Sequence, residues 1–196
     1  MRWICLGLVA LLAACSAPVP NASPARPRSA EYVHDGPPEI ALLTMVNNRS
    51  GEGAHSALLI NGSQRVIFDP AGTVQHELLI ERDDVLFGMT PRMVDFYVRA
   101  HSRITHHVVI QKIPVTAEVA EQALQLALEN GPVPSAFCAN STSKLLAQLP
   151  GFETIDTTMF PRTLMDQVAT LPNVVTSIVR ETDSADKRAA ERAFQG

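Results

Sequence analysis

Two β-rich apolar runs, AHSALLI at 54–60 and SQRVIFD at 63–69, meet at Asn61-Gly62. Asn-Gly between such runs is the strongest short-range sign of an antiparallel hairpin. A tight two-residue turn needs positive φ at both positions, and these residues tolerate it. The middle of the chain is thereby committed to antiparallel pairing, and the rest must cover the sheet that grows from it. EIALLTMV at 39–46 and ITHHVVIQKI at 104–113 read as strands; HELLI at 76–80, FETIDTTMF at 152–160 and the β-rich stretch 174–179 offer shorter ones. Thr90-Pro91 opens a helix whose apolar face carries Met93, Val94, Phe96, Tyr97 and Val98, with Pro fitting the first helical position. Thr116 caps AEVAEQALQLALEN, where Ala120, Leu124, Ala127 and Leu128 recur at helical spacing and Gly131 follows the end. CANSTSKLLAQL reads as a further helix with Cys138 in its first turn and Ser135 as N-cap, and Pro161 opens another that runs to about 169. The charged tail from Arg180 reads as a frayed helix. Strands and helices mix without strict βαβ alternation, so the expected class is α+β, a small antiparallel sheet packed against helices.

The N-terminus constrains where such a domain works. Arg2 precedes an apolar run, 3–12, too short to span a bilayer core of roughly 30 Å. The run ends in Leu12-Ala13-Ala14-Cys15. Small residues at a cleavage site after a short apolar stretch mark a secretory signal, and this tetrapeptide resembles the lipobox of bacterial lipoproteins. The resemblance implies removal of residues 1–14 and lipidation of Cys15, where several acyl chains give the stable anchoring that one chain does not. Ser16 stands where such lipoproteins carry an aspartate for inner-membrane retention, so the outer membrane is the expected location. Residues 15–37, dense in Pro, Ala and Ser, bury too little to offset their ordering entropy and read as a semi-extended tether. Residues 38–196 remain as one domain, its folded part running from about Glu39 to Val179 with the charged tail beyond, an ordinary size for a single core. The net charge of −4 offers no basic footprint for nucleic acid; the expected partner is a membrane, through the lipid anchor.

Of the three cysteines, Cys5 leaves with the signal and Cys15 takes lipid. Cys138 is left with no intramolecular disulfide partner. It is either a small buried core residue or a thiol free for chemistry or for pairing with another chain. A nucleophilic cysteine must be a thiolate, which a helix N-terminus and a neighbouring imidazole both favour. Cys138 meets the first condition. Among six histidines, His34 lies in the tether, His76 precedes a weak strand and His101 ends a helix. His106 and His107 are strand neighbours facing opposite ways. Neither has a Cys or carboxylate at a ligand spacing, so no metal or cofactor is expected. His55 opens a strand after a Gly-rich loop, and small Ser56 and Ala57 leave room for another element to dock over its ring.

A His-small-small-apolar-apolar strand with its hairpin (AHSALLINGSQRVIFDPAG, 54–72), followed later by a Cys that opens a helix (FCANSTSKLLAQL, 137–149), resembles the NlpC superfamily of papain-like cysteine hydrolases. The order, His before Cys, is that of its circularly permuted, lecithin:retinol acyltransferase-like branch. The resemblance implies a permuted papain-like fold, Cys138 as nucleophile, His55 as base and then acid, and a third polar residue on the strand after the histidine. Asp69 is the candidate. A carboxylate on the far ring nitrogen fixes the tautomer and stabilises imidazolium, although the family more often has His, Asn or a backbone group there, and an Asp-Pro pair is also an ordinary turn. A two-residue turn pairs His55 with Phe68 and puts Asp69 on the opposite face; a three-residue loop pairs His55 with Asp69; a bulge flips the face. The backbone N–H of Cys138 is the generic oxyanion donor. On this reading the chain is an envelope cysteine hydrolase, an amidase, peptidase or acyl hydrolase, with cell-wall peptides or acyl lipids as substrates. The alternative is a non-catalytic envelope lipoprotein that binds a partner through the same fold and keeps Cys138 in its core.

Overall fold

The computed structural model describes residues 31–194, so the signal segment, Cys15 and most of the tether lie outside the described residues. The elements are β1 (Glu39–Asn47), β2 (Gly53–Asn61), β3 (Arg65–Phe68), β4 (Ile80–Arg82), β5 (Val85–Phe87), α1 (Pro91–His101), β6 (His106–Pro114), α2 (Ala117–Glu129), α3 (Cys138–Leu146), α4 (Pro161–Val168), β7 (Val175–Val179) and α5 (Lys187–Ala193). The strands form one antiparallel sheet in the order β4-β5-β3-β2-β1-β6-β7, and the fold is α+β as expected.

The composition of β1 dictates the layering. Its sequence does not alternate, and all but its two end residues are buried, as happens when both faces of a sheet are covered. Ile40 and Leu42, with Leu58, Ile60, Val66 and Phe68, face a core completed by Leu124 of α2, Leu145 and Leu146 of α3 and Leu164 of α4. Ala41, Leu43 and Met45, with Ala57, Leu59 and Ile67, face Met93, Phe96 and Tyr97 of α1. Each fully buried large side chain contributes about 1.5–3 kcal/mol. Two helices start where the sequence says they should: Thr90 Oγ1 accepts the Met93 N–H at 3.2 Å and Thr116 Oγ1 the Val119 N–H at 3.4 Å.

Several local expectations are corrected. Asn61 pairs with Arg65, so the hairpin loop is Gly62-Ser63-Gln64 and not a two-residue Asn-Gly turn. Docking on α2 decides this: the Ser63 N–H donates to Glu121 Oε2 at 3.0 Å, and Gly62 lies close enough that a Cβ would meet the Ala120 carbonyl oxygen at 3.2 Å. The strand expected at 76–80 begins only at Ile80, because His76 turns the chain, accepting the Leu79 N–H on its carbonyl oxygen and the Leu78 N–H on Nδ1. No strand forms at 152–160; Phe152 and Ile155 are drawn into the core and the Thr158 N–H is taken by Ser143 Oγ. Ser135 does not cap α3: Phe137 stands there and makes no side-chain cap bond. The tail is docked, with Phe194 stacked on Phe96 at 4.2 Å between ring centroids and edge-on to His76 at 5.3 Å.

Hydrogen bonds to the hairpin also come from residues earlier than composition suggests. The Arg65 N–H donates to the Tyr32 carbonyl at 2.8 Å, and Asn61 Nδ2 donates to the Pro37 and Gly36 carbonyls at 2.7 and 3.2 Å. The end of the hairpin presents donors that no strand takes, and the last residues of the expected tether accept them. A protein starting at Pro38 should therefore be less stable than one starting at Glu31, by about 1–3 kcal/mol at roughly 1 kcal/mol net per hydrogen bond. Urea unfolding of the two forms checks this.

Candidate active site

The site exists because β3 is short. Its last pair with β2 is Leu58↔Phe68, so the first residues of β2 have no ladder partner on that edge. The first turn of α3 docks there, and the Ser56 N–H, freed from the ladder, donates to the Cys138 sulfur. Beyond Met45↔His55 the β1–β2 register jumps to Val46↔Gly53, which makes Ala54 a bulge immediately before the histidine. Bulges re-aim the side chains beside them. Gly53 is required as glycine, since a Cβ would fall 2.5 Å from the Arg162 nitrogen where α4 starts. The element docked on this Gly is therefore α4, on the far face of the sheet. Over the imidazole itself lies His101 of α1, nearly parallel at 6.1 Å between centroids.

The observed β2–β3 register puts His55 and Asp69 on the same face, offset along the strands and not directly opposite. His55 Nε2 bonds Asp69 Oδ1 at 2.6 Å, leaving Nδ1 for the Cys138 thiol, to which His55 is hydrogen-bonded. The Tyr97 hydroxyl donates to the same Asp69 oxygen at 2.6 Å. Asp69 is fixed by its turn: the Gly72 N–H donates to the Asp69 carbonyl at 2.8 Å with Ala71 at φ 58°, and a Cβ on Gly72 would overlap the carboxylate, 1.9 Å from Oδ2. Asp84, itself at φ 63°, braces both sides of the site. Its carbonyl accepts the Asp69 N–H at 2.7 Å, and its carboxylate accepts the Val133 N–H at 2.6 Å, in the loop that leads to Cys138, and the Ala71 N–H.

Electrostatics follow from these contacts. Burial pulls the His55 pKa down, but the Asp69 charge and hydrogen bond, with the Cys138 contact, outweigh it and raise the pKa from 6.5 to about 10. Burial pushes the Asp69 carboxyl up, yet His55, then the neighbouring His101 and the Tyr97 hydroxyl, bring it down from 3.8 to about 2. Burial likewise raises the Cys138 thiol, but the His55 contact and the N–H groups of Ser56 and Ala139 leave it below its ordinary value. The first N–H groups of α3 have no partner within the helix and no side-chain cap, so that end is free to face negative charge. His101 is the opposite case: burial, then Lys187, lower it to about 3. Its Nδ1 bonds the Tyr97 carbonyl at 2.9 Å, which fixes the proton there and leaves Nε2 as acceptor for Lys187 Nζ at 3.1 Å.

The structure thus brings Cys138, His55 and Asp69 together from α3, β2 and the end of β3. His106 and His107 do face opposite ways: His107 is buried against Asn48, 2.6 Å from its Oδ1, while His106 borders the cavity beside His55. Among the described residues no cluster of three metal-ligating side chains occurs. No protein-family profile, curated protein or solved structure matches the chain. Sequence reasoning missed the roles of Tyr97, Asp84 and His101. A tyrosine within an apolar helical face was the available signal, because its hydroxyl must find a partner when buried, and His101 follows it at i+4 on the same face.

The Asp69–His55 pair carries a pH-dependent stability of defined sign. The depressed Asp69 contributes stability that is present above 3.8 and lost as pH falls toward about 2. The raised His55 contributes stability that is complete below 6.5 and lost as pH rises to about 10. Asp69→Asn should therefore lower the melting temperature most between 3.8 and 6.5. Melting curves of the two proteins should draw together on the alkaline side.

Proposed function

We propose that this chain is a lipid-anchored envelope cysteine hydrolase with a permuted papain-like site. The observation that carries this is the Asp69–His55 hydrogen bond at 2.6 Å with the imidazole set against the Cys138 thiol, which lies at an uncapped helix start. In this reading the pair rests as thiolate and imidazolium. The Cys138 sulfur attacks an amide or acyl-ester carbonyl and forms a C–S bond, and the oxyanion develops near the first N–H groups of α3. The His55 imidazolium gives its proton to the leaving amine or alcohol as the acyl bond breaks, leaving a thioester. Neutral His55 then takes a proton from water, the hydroxide adds to the thioester carbonyl, and the thiolate leaves. Asp69 keeps its charge throughout, holding the ring orientation and stabilising the imidazolium. Tyr97 supports the same carboxylate oxygen.

Alkylation tests the mechanism. Iodoacetamide should modify folded Cys138 at pH values well below the 9.0 of an ordinary thiol, with reactivity extending below neutrality. His55→Ala should move that pH profile upward by about one unit or more while circular dichroism shows the fold retained. Asp69→Asn should shift it less, and Cys138→Ser should abolish hydrolysis. A Cys138 inert at every pH, or a profile unmoved by His55→Ala, would leave the partner-binding lipoprotein as the better account.

The anchor is tested separately. The full chain expressed in a bacterium should fractionate with membranes, and Cys15→Ser should release it as a soluble species. Soluble recovery of the wild-type protein would contradict the lipobox reading.

A further inference from the structure

An ammonium group beside the candidate catalytic imidazole makes direct contact, among the described residues, with neutral partners. Lys187 Nζ lies 3.1 Å from His101 Nε2 and donates to Thr73 Oγ1 at 3.3 Å. The acids nearby are engaged elsewhere: Asp69 with His55, Glu191 with Arg188 at 3.3 Å and Asp186 with Arg192 at 3.5 Å. Lys187 borders a cavity of about 390 Å³ together with His55, His101, Arg103, Thr105 and His106; among the described residues no carboxylate lines it, and His55, not Cys138, is the member of the thiol–imidazole pair in its wall. Arg103 is already paired with Asp183 at 3.1 Å. Among the described residues the cavity wall therefore holds one ammonium without a direct ion pair, which Asp69 and Glu191 reach only at longer range, and two hydroxyls. Holding such a charge partly out of water without a counter-ion costs free energy, and that cost is offset when an anion arrives with a ligand. A single ammonium matches a monoanion, and a carboxylate can accept from Lys187 and from the Thr73 and Thr105 hydroxyls.

We propose that this cavity is a subsite for a free carboxylate carried by the substrate, with Lys187 as its ligand. The proposal rests on the cysteine-hydrolase reading and narrows it: substrates with an acidic group near the scissile bond are selected over uncharged acyl lipids.

Two alkylating reagents that differ in one charge test it. The rate ratio of iodoacetate to iodoacetamide at Cys138 is measured in the wild type, Lys187→Met and Lys187→Arg. The ratio cancels any change in thiolate fraction. It should fall about threefold or more in Lys187→Met, the effect of one unit charge several ångströms away at an effective dielectric near that of water. It should be retained in Lys187→Arg, which a purely structural role would not require. An unchanged ratio in folded Lys187→Met overturns the subsite. Should that variant not fold, wild-type protein is alkylated by iodoacetamide in the presence of acetate or acetamide at matched ionic strength. Saturable protection by acetate alone supports the subsite, and equal behaviour overturns it. Wild-type Cys138 inert to both reagents overturns the hydrolase reading, and the subsite falls with it.

Discussion

The Asp69 carboxylate is 3% exposed, and a buried anion is tolerated only when opposite charge and hydrogen bonds replace the water it lost. His55 and Tyr97 supply both on a single oxygen, at 2.6 Å each. From this one charge the rest of the site follows. The carboxylate holds the imidazole protonated, and the imidazolium holds the thiol below its ordinary pKa. Removing the anion would leave an imidazole whose burial argues for neutrality, beside a thiol whose burial argues the same. The electrostatic order of the three groups is thus set from the inside outward.

Geometry gives that charge its reach. The sheet is covered on both faces, and α3 belongs to the face opposite the one that His55 and Asp69 occupy. A thiol on one side and an imidazole on the other can meet only where the sheet has an opening. The early end of β3 provides it, and the bulge at Ala54 aims the ring toward it. Asp84 ties the two rims together, holding the Asp69 turn through its backbone and the approach to Cys138 through its side chain. Three residues at positive φ, Ala71, Asp84 and Ala136, lie on these rims. Each costs conformational energy that the surrounding contacts must outweigh.

How much of this was legible in the sequence depended on the range of the interaction. Cys138 at a helix start and His55 at a strand start are local facts, written in Pro, Gly and apolar spacing within a few residues of each. The antiparallel core was legible for the same reason, since β1, β2 and β6 are long apolar runs. The hairpin loop was not, because the tie from Ser63 to Glu121 spans 58 residues and overrides the preference of Asn-Gly. The face of Asp69 depended on that loop and so stayed open. Tyr97 was legible as core but not as a donor, because its partner lies 28 residues away. Composition at 15–37 argues against burial but not against backbone hydrogen bonding, which the carbonyl groups of Tyr32, Gly36 and Pro37 provide.

The packing of the C-terminal segment has a consequence for the order of assembly. Cys138, His55, Asp69 and Tyr97 all precede α5, whereas Lys187, which reaches His101, and Phe194, which seats on Phe96 and His76, belong to α5 and its end. A chain that folds as it is made, N-terminus first, can form the thiol–imidazole pair before its last turn is available. The pair is then in place before Lys187 completes the wall of the cavity that His55 borders. A protease that clips the short 180–186 connection would return the molecule to that earlier, more open stage without touching Cys138.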